Sequence, residues 1–374
     1  MHLSYCTNVH PAEDLDGVIR QLETYAGPAR LAAGLETLGV GLWLPAPLAA
    51  RLATEPAALD RLRAALDANG LEVRTLNAFP YEAFHAEVVK LDVYRPDWTD
   101  PARLDFTVDA ARVLAALLPA GADGSISTLP LGWRDGWDAG ADRAATAALA
   151  ALGAELRAIR TETGRVIRLA IEPEPGCVLD DVDDVVAWLD AHRDRIDLDH
   201  IGVCLDTCHL AVSFADPAAA VARVADAGIR VVKVQASAAL HVERPDDPEA
   251  RRAVAAYAED RYLHQVREHA GGGVIRVDDL PEALDALPAS GPWRVHFHVP
   301  LHLEPEAPLA STTDVLRAAL AAVRERQPVD GLHVDVETYT WSVLPGPQVD
   351  LVEGIAAELR WATAELLERA ELPA

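Results

Sequence analysis

The feature that most constrains the fold is a repeated alternation of short apolar strands with helical stretches along the whole chain. Stretches such as 56–70 and 145–164 carry apolar residues at helical spacing and end on glycine. Such alternation is typical of parallel β/α units, in a (β/α)8 TIM barrel or a doubly wound sheet. No G-x-G-x-x-G or P-loop follows an early strand, so the sequence favours the α/β TIM barrel. The segments predicted to be strands are 3–8, 40–45, 72–80, 124–132, 165–176, 201–209, 229–237, 294–300 and 332–341.

Two long segments interrupt the alternation, 78–106 and 236–293. Loops after the strands build the active-site face of a TIM barrel, so both are predicted lids or pocket walls. A surface elaboration or dimer contact is an equal alternative for the second. A barrel has eight strands and nine are predicted, so we expect 294–300, or one other, to lie outside it. We therefore predict one domain over 1–374, a barrel with an insertion around 238–293.

Composition excludes several classes of partner. The 374 residues carry a formal net charge of −26, whereas a nucleic-acid binder needs a basic surface. The same charge disfavours anionic membranes, and no apolar run approaches the roughly 20 residues of a membrane-spanning helix. The first residues lack the basic and apolar regions of a signal peptide. Four cysteines in a chain of this size are typical of reduced thiols, which predicts a cytoplasmic protein. The charge and the lack of a long apolar run predict no nucleic-acid partner and no membrane insertion.

Polar residues gather at the predicted carboxyl ends of the strands. Because side chains alternate along a strand, those two positions apart share one face. Buried carboxylates that converge repel one another unless a cation binds between them. Mixed oxygen and imidazole ligands suit Mn, Zn, Fe, Co or Mg, so we predict a divalent metal as cofactor. A zinc site of Cys204, Cys208 and His209 is the weaker alternative, because no second cysteine pair completes it. The strand-end residues are Asn8, Asn77, Glu172, Glu174, Asp206, His209, Lys233, Gln235, His296, His298, Asp335 and Glu337.

The order of three segments, "IEPEPG", "CLDTCH" and "VETY", resembles the xylose isomerase-like TIM-barrel superfamily, which includes sugar isomerases, epimerases and endonuclease IV-type repair enzymes. A closer resemblance, through "HLSYCTNVHP", "LNAFPYEAFH", "VYRPDW", "VHFHVP" and "VETYTW", is to the EboE family of ebo-cluster metabolite traffic proteins. The closer resemblance implies a role in handling secondary metabolites, with partner proteins from the same gene cluster.

The resemblance also implies that Glu172, Asp206 and Glu337 are metal ligands. It makes His209 a further ligand or a substrate contact. The strand that usually supplies a histidine ligand reads "VVKVQAS" here and contains none. We expect His298, or alternatively His296, to replace it. The endonuclease branch needs more histidines at the early strand ends, and the net charge of −26 also disfavours it.

The predicted chemistry is proton transfer next to a carbonyl on a small hydroxy-carbonyl or sugar-like metabolite, through a metal-stabilised enediolate. Glu172 and Glu337 would remove and return the proton, and a desolvated Lys233 of lowered pKa would polarise an oxygen. A metabolite-binding or traffic protein without catalysis stays open as an alternative. Neither the substrate nor the oligomeric state follows from the sequence. The predicted substrate-binding residues are Asn77, His85, Gln235, His296 and Trp341.

Overall fold

A computed structural model describes residues 1–368 of the chain. Strands and helices alternate along these residues. The strands are His2–Cys6 (β1), Leu38–Trp43 (β2), Leu71–Asn77 (β3), Gly124–Thr128 (β4), Ile167–Ile171 (β5), Ile201–Asp206 (β6), Val231–Ala236 (β7), Leu240–Val242 (β8), Val266–Ala270 (β9), Gly273–Val277 (β10), Trp293–Val295 (β11), Leu309–Ser311 (β12) and His333–Val336 (β13).

Helices follow most of the strands, together with short 3-10 segments at Thr7–Val9, Lys90–Tyr94 and Thr340–Ser342 and π-helical segments at Leu22–Ala26 and Thr363–Glu368. The helices are Leu15–Gln21 (α1), Gly27–Ala32 (α2), Ala46–Thr54 (α3), Pro56–Ala68 (α4), Pro101–Leu117 (α5), Ala139–Thr163 (α6), Val182–Ala191 (α7), Thr207–Val212 (α8), Pro217–Asp226 (α9), Pro248–Ala255 (α10), Leu280–Ala286 (α11), Thr313–Arg326 (α12) and Leu351–Ala362 (α13).

Eight parallel strands close into a barrel in the order β1-β13-β7-β6-β5-β4-β3-β2, which confirms the predicted TIM barrel. The pairing of β7 with its two neighbours places polar residues of three strands at the same height in the barrel. Gln235 lies opposite Asp206 on β6 and opposite Asp335 on β13. Because all eight strands run the same way, their carboxyl ends meet on one face of the barrel.

Local sequence signals set the helix ends that frame the barrel. Asp138 caps the first turn of α6 by accepting hydrogen bonds from the backbone N–H groups of Gly140 and Ala141. The same helix ends at Gly164, whose φ of 71° is left-handed and therefore favours glycine. Asp206 ends β6 and also caps α8 through the N–H of His209. A residue at the carboxyl end of a strand is thus fixed in orientation by the helix that follows it.

A second, antiparallel sheet lies within the insertion, in the order β10-β9-β11-β8-β12. It has its own apolar core around Trp293 and Phe297. The predicted strand 294–300 begins in β11 of this sheet, which confirms that it lies outside the barrel. The insertion extends to β12, beyond the predicted boundary at 293. Strands of three to five residues are too short for periodicity to predict.

The barrel and the inserted sheet have separate apolar cores. That the chain forms one domain over 1–374 therefore stays a prediction. Within residues 1–368, none of the helices combines the length and apolar character needed to cross a membrane.

Glu358 on α13 links the segment between β11 and β12 to the loop after β13. Its Oε1 accepts hydrogen bonds from the Leu301 N–H at 2.9 Å and from the Thr338 hydroxyl at 2.7 Å. The side chain is buried, and burial raises the pKa of Glu358 from 4.5 to about 7.

This raised pKa predicts a pH-dependent stability. The folded protein keeps the Glu358 proton to a higher pH than the unfolded chain does, so the free energy of unfolding falls as pH rises from about 4.5 to about 7. We expect Glu358→Gln to reduce this pH-dependent decrease in the free energy of unfolding by up to about 3 kcal/mol. Chemical denaturation at pH 5 and pH 8 measures the difference. An unchanged pH dependence in the variant would contradict the assignment.

Candidate metal centre

Three carboxylates converge at the carboxyl ends of neighbouring barrel strands. Glu172 follows β5, Asp206 ends β6 and Glu337 follows β13. One oxygen from each lies within 4.8 Å of the other two, and all three side chains are buried. The backbone topology therefore brings together three acidic residues that are up to 165 positions apart in the sequence.

Each carboxylate makes it less favourable for its two neighbours to carry a negative charge. Burial, and then the charges of Glu337 and Asp206, raise the pKa of Glu172 well above its ordinary value. Burial and the Asp206 charge raise the pKa of Glu337 to about 8. Glu172 Oε2 and Asp206 Oδ2 are buried and have no hydrogen-bond partner among residues 1–368. A divalent cation would satisfy both bare oxygens and remove the repulsion, so these residues fit the predicted metal.

Neighbouring side chains hold the other oxygens in place. Asp206 Oδ1 accepts hydrogen bonds from the His209 N–H at 2.8 Å and the Ser237 hydroxyl at 2.9 Å. Glu337 Oε1 accepts two more, from the side-chain amides of Asn8 and Asn77, each at 2.8 Å. Such fixed orientation lowers the cost of ordering the ligands when a cation binds.

His298 presents a bare nitrogen to this group. Its Nδ1 lies 2.7 Å from the Glu337 backbone carbonyl, which only accepts, so Nδ1 carries the proton. Its Nε2 is buried, has no hydrogen-bond partner among the residues that the structure describes, and lies 4.0 Å from Asp206 Oδ2. Burial lowers the pKa of His298 to about 4, so the ring is neutral at pH 7. A neutral imidazole oriented by a carbonyl is the usual form of a histidine ligand.

The two polar residues of β7 lie in different surroundings. Lys233 is fully buried and its Nζ lies 2.9 Å from Asp335 Oδ2. Burial alone would lower the pKa of Lys233, but the Asp335 carboxylate raises it above its ordinary value, so the predicted fall is wrong. Gln235 is 0% exposed, and within the described part of the chain neither the oxygen nor the nitrogen of its side-chain amide has a hydrogen-bond partner. It occupies the strand where related barrels were expected to supply a histidine.

A cavity opens beside the carboxylates, and Glu172 and Glu337 are among the residues that line it. Both interrupting segments contribute walls, as predicted: Phe79 and Tyr94 come from 78–106, and Tyr262 and His296 from the insertion. Five aromatic rings line the cavity together with the acidic residues, those of Phe79, Phe84, Tyr94, Tyr262 and Tyr339. Apolar walls around a few convergent polar groups are typical of small-molecule sites.

The predicted substrate-binding residues separate into two groups. Asn77 and His296 line the cavity. His85 and Trp341 are not among its lining residues. His85 Nε2 lies 2.6 Å from the Asn8 carbonyl, and the Trp341 ring stacks on His302 at 6.1 Å between centroids. Their roles, like that of Gln235, stay predictions.

One polar network at the cavity was not predicted. Glu174 Oε1 accepts hydrogen bonds from Tyr94 Oη at 2.7 Å and from Gln265 Nε2 at 3.3 Å. Gln265 in turn lies beside His296. Glu174 stands out in "IEPEPG", but the sequence does not indicate that Tyr94 and Gln265 meet it, because these two residues reach the barrel from the separate segments 78–106 and 236–293.

Comparison with known proteins agrees with this geometry. The family model of xylose isomerase-like TIM barrels matches residues 29–319. The chain belongs to this family. No match to a curated protein sequence was found for it.

Solved structures of xylose isomerase-like barrels share the fold at low sequence identity. A protein from Mycobacterium smegmatis in complex with magnesium has a TM-score of 0.55 at 15% identity, over 99% of this chain and 98% of its own. The IOLI protein with a bound zinc atom has a TM-score of 0.54 at 11% identity, over 100% of both chains. D-allulose 3-epimerase from Methylomonas sp., in complex with D-allulose, has a TM-score of 0.51 at 13% identity, over 98% of this chain and 97% of its own.

Proposed function

We propose that this protein is a metal-dependent isomerase or epimerase of a small hydroxy-carbonyl or sugar-like metabolite. The observation that carries the proposal is the convergence of Glu172, Asp206 and Glu337 with two bare, buried oxygens beside the cavity. Structural neighbours include a sugar epimerase and proteins that bind magnesium or zinc, which supports this reaction class.

Glu172, Asp206, Glu337 and His298 would hold the cation. When bound, a divalent cation would polarise adjacent hydroxyl and carbonyl oxygens and so acidify the C–H of the hydroxyl-bearing carbon next to the carbonyl. Glu172 and Glu337 both line the cavity, where one would remove the proton and the other return it. Asn8 and Asn77 hold Glu337 in a fixed orientation for this transfer.

The cavity walls indicate which apolar groups the substrate has in addition to its oxygen atoms. Phe79, Phe84, Tyr94, Tyr262 and Tyr339 supply aromatic surface that suits a sugar face or an aromatic group. This agrees with the proposed role in handling secondary metabolites that the EboE resemblance implies. Lys233 is engaged with Asp335, so we assign it to support of the site and leave its predicted catalytic role to experiment.

A second candidate is a metabolite carrier that uses the same cavity without turnover, alone or with partner proteins from the same gene cluster. The observation that favours it is Gln235, which stands on the strand expected to supply a histidine ligand and leaves its amide unpaired. A carrier needs the cavity walls but does not need the proton-transferring carboxylates.

Deuterium exchange separates the two candidates. Protein reconstituted with Mn²⁺ is incubated in D₂O with D-fructose, D-allulose or 2-hydroxyacetophenone, and deuterium next to the carbonyl is measured by NMR. We expect exchange with at least one of these probes, and at least a hundredfold less with Glu172→Gln or after chelation. Probe binding without exchange would overturn the isomerase proposal in favour of the carrier.

A further inference from the structure

Two buried imidazoles meet at the edge of the cavity in an arrangement that the proposed function does not explain. His209 Nε2 and His296 Nε2 lie 3.1 Å apart, and the two rings are nearly perpendicular at 84°. A contact of this length is a hydrogen bond only if one of the two nitrogens carries a proton.

The proton on His209 is located by its other nitrogen. Its Nδ1 lies 2.8 Å from the backbone carbonyl of Pro173. A carbonyl oxygen only accepts hydrogen bonds, so Nδ1 must donate. In the neutral ring this leaves a bare lone pair on Nε2, the nitrogen that lies 3.1 Å from His296 Nε2.

The proton on His296 is located through Gln265. The Nε2 of Gln265 lies 2.8 Å from the Pro175 carbonyl, which only accepts, so this end of the amide is the NH₂ group. The opposite end is therefore the oxygen, and it lies 2.6 Å from His296 Nδ1. His296 must donate from Nδ1, so its Nε2 is also bare.

Two bare nitrogens at 3.1 Å repel each other, and a cation that binds both removes the repulsion. Ligands of a tetrahedral zinc ion lie about 2.0–2.1 Å from the metal, which places two nitrogen ligands about 3.3 Å apart. The observed separation is close to that spacing. The two rings are thus arranged as adjacent ligands of one ion.

A carboxylate completes the group. Glu174 offers an oxygen that lies within 4.8 Å of a ligand nitrogen of both His209 and His296. Tyr94 fixes this carboxylate by donating to its Oε1 at 2.7 Å. All three residues are buried and line the cavity, so a bound ion would keep a position open to small molecules.

We infer that His209, His296 and Glu174 form a second metal site, for a divalent ion of the zinc class, beside the carboxylate centre. His209 connects the two sites, because its Nε2 also lies 3.9 Å from Asp206 Oδ1. The inference does not depend on the proposed isomerisation. It assigns His209 and His296 to an ion other than the one held by Glu172, Asp206 and Glu337.

Counting bound Co²⁺ tests the second site. Chelator-treated protein is dialysed against Co²⁺, and the cobalt per chain is measured by elemental analysis together with the visible spectrum of the bound ion. We expect two equivalents in the parent and one in Glu174→Gln and in His296→Gln. Glu174→Gln keeps an oxygen that accepts from Tyr94, so it decides the result if His296→Gln does not fold. His302→Gln changes a histidine outside the group and should keep two equivalents.

The outcomes separate this inference from the proposed function. One equivalent in the parent that Glu337→Gln removes would overturn the second site and leave the carboxylate centre intact. One equivalent that survives Glu337→Gln and disappears in Glu174→Gln would support the second site and count against the proposed function. An unchanged cobalt content in Glu174→Gln, with ¹⁵N NMR showing one imidazolium, would mean that a shared proton joins the two rings.

Discussion

Asp206→Asn is expected to weaken Mn²⁺ binding more than a hundredfold while the protein stays folded. Asparagine retains an oxygen that can accept from the His209 N–H and the Ser237 hydroxyl, and it remains a good helix cap for α8. The substitution replaces the bare Oδ2 with an NH₂ group, which cannot bind a cation. Mn²⁺ prefers oxygen ligands, so it reports on the carboxylate centre. Isothermal titration of the chelator-treated protein measures the affinity.

Ser237→Ala is the matched control for this experiment. It removes the hydroxyl that donates to Asp206 Oδ1 but keeps both carboxylate oxygens. Loss of such a supporting hydrogen bond weakens metal binding by about 10–100-fold, less than the loss of the ligand itself. Equal Mn²⁺ affinity in the parent and Asp206→Asn would show that this carboxylate is not a ligand.

The sequence predicts the barrel and the acidic centre because both depend on local signals repeated in order. Strand–helix alternation identifies parallel units, and parallel strands bring their carboxyl ends to one face. Glu172, Asp206 and Glu337 each stand at such an end, so their convergence follows from the topology without knowledge of contacts. The structure then adds what topology cannot, namely which of their oxygens are held and which are bare.

The surroundings of His296 could not be predicted, because they depend on how the insertion folds. Its contact with His209 joins the insertion to the barrel across 87 sequence positions, and its bond to Gln265 spans 31 positions within the insertion. The strands that position it are three to five residues long and antiparallel. Patterns of that length do not distinguish strand from loop, so the sequence predicted His296 only as a substrate contact or as the alternative to His298 for the missing metal ligand.

The wrong pKa prediction for Lys233 has a specific cause. Burial was correctly expected, and burial alone lowers the pKa of a lysine. The partner, Asp335, lies on β13, which pairs with β7 although the insertion separates the two strands in the sequence. Gly41 makes room for this carboxylate, since a Cβ on that residue would lie 2.1 Å from Asp335 Oδ2. The pairing therefore depends on three strands that are distant in sequence.

Lys233→Met is expected to destabilise the protein by about 3–5 kcal/mol, the usual cost of leaving one member of a buried ion pair alone. Lys233 and Asp335 are both 0% exposed, with 2.9 Å between Nζ and Oδ2. Asp335 would keep only the Ser4 hydroxyl, which donates to its Oδ1 at 2.6 Å. One hydrogen bond does not compensate for a buried charge. Chemical denaturation at pH 7 measures the loss.

The double variant Lys233→Met/Asp335→Asn separates charge from packing. It removes both charges and keeps the volume of both side chains, and the oxygen of the new amide can still accept from the Ser4 hydroxyl, as Asp335 Oδ1 does in the parent. Buried ion pairs are often replaced by neutral groups at little cost, so we expect the double variant to regain most of the lost stability. Since each single variant leaves one buried charge, both should be less stable than the double. If the double variant is as unstable as Lys233→Met, the loss comes from packing around the lysine stem rather than from the unpaired carboxylate.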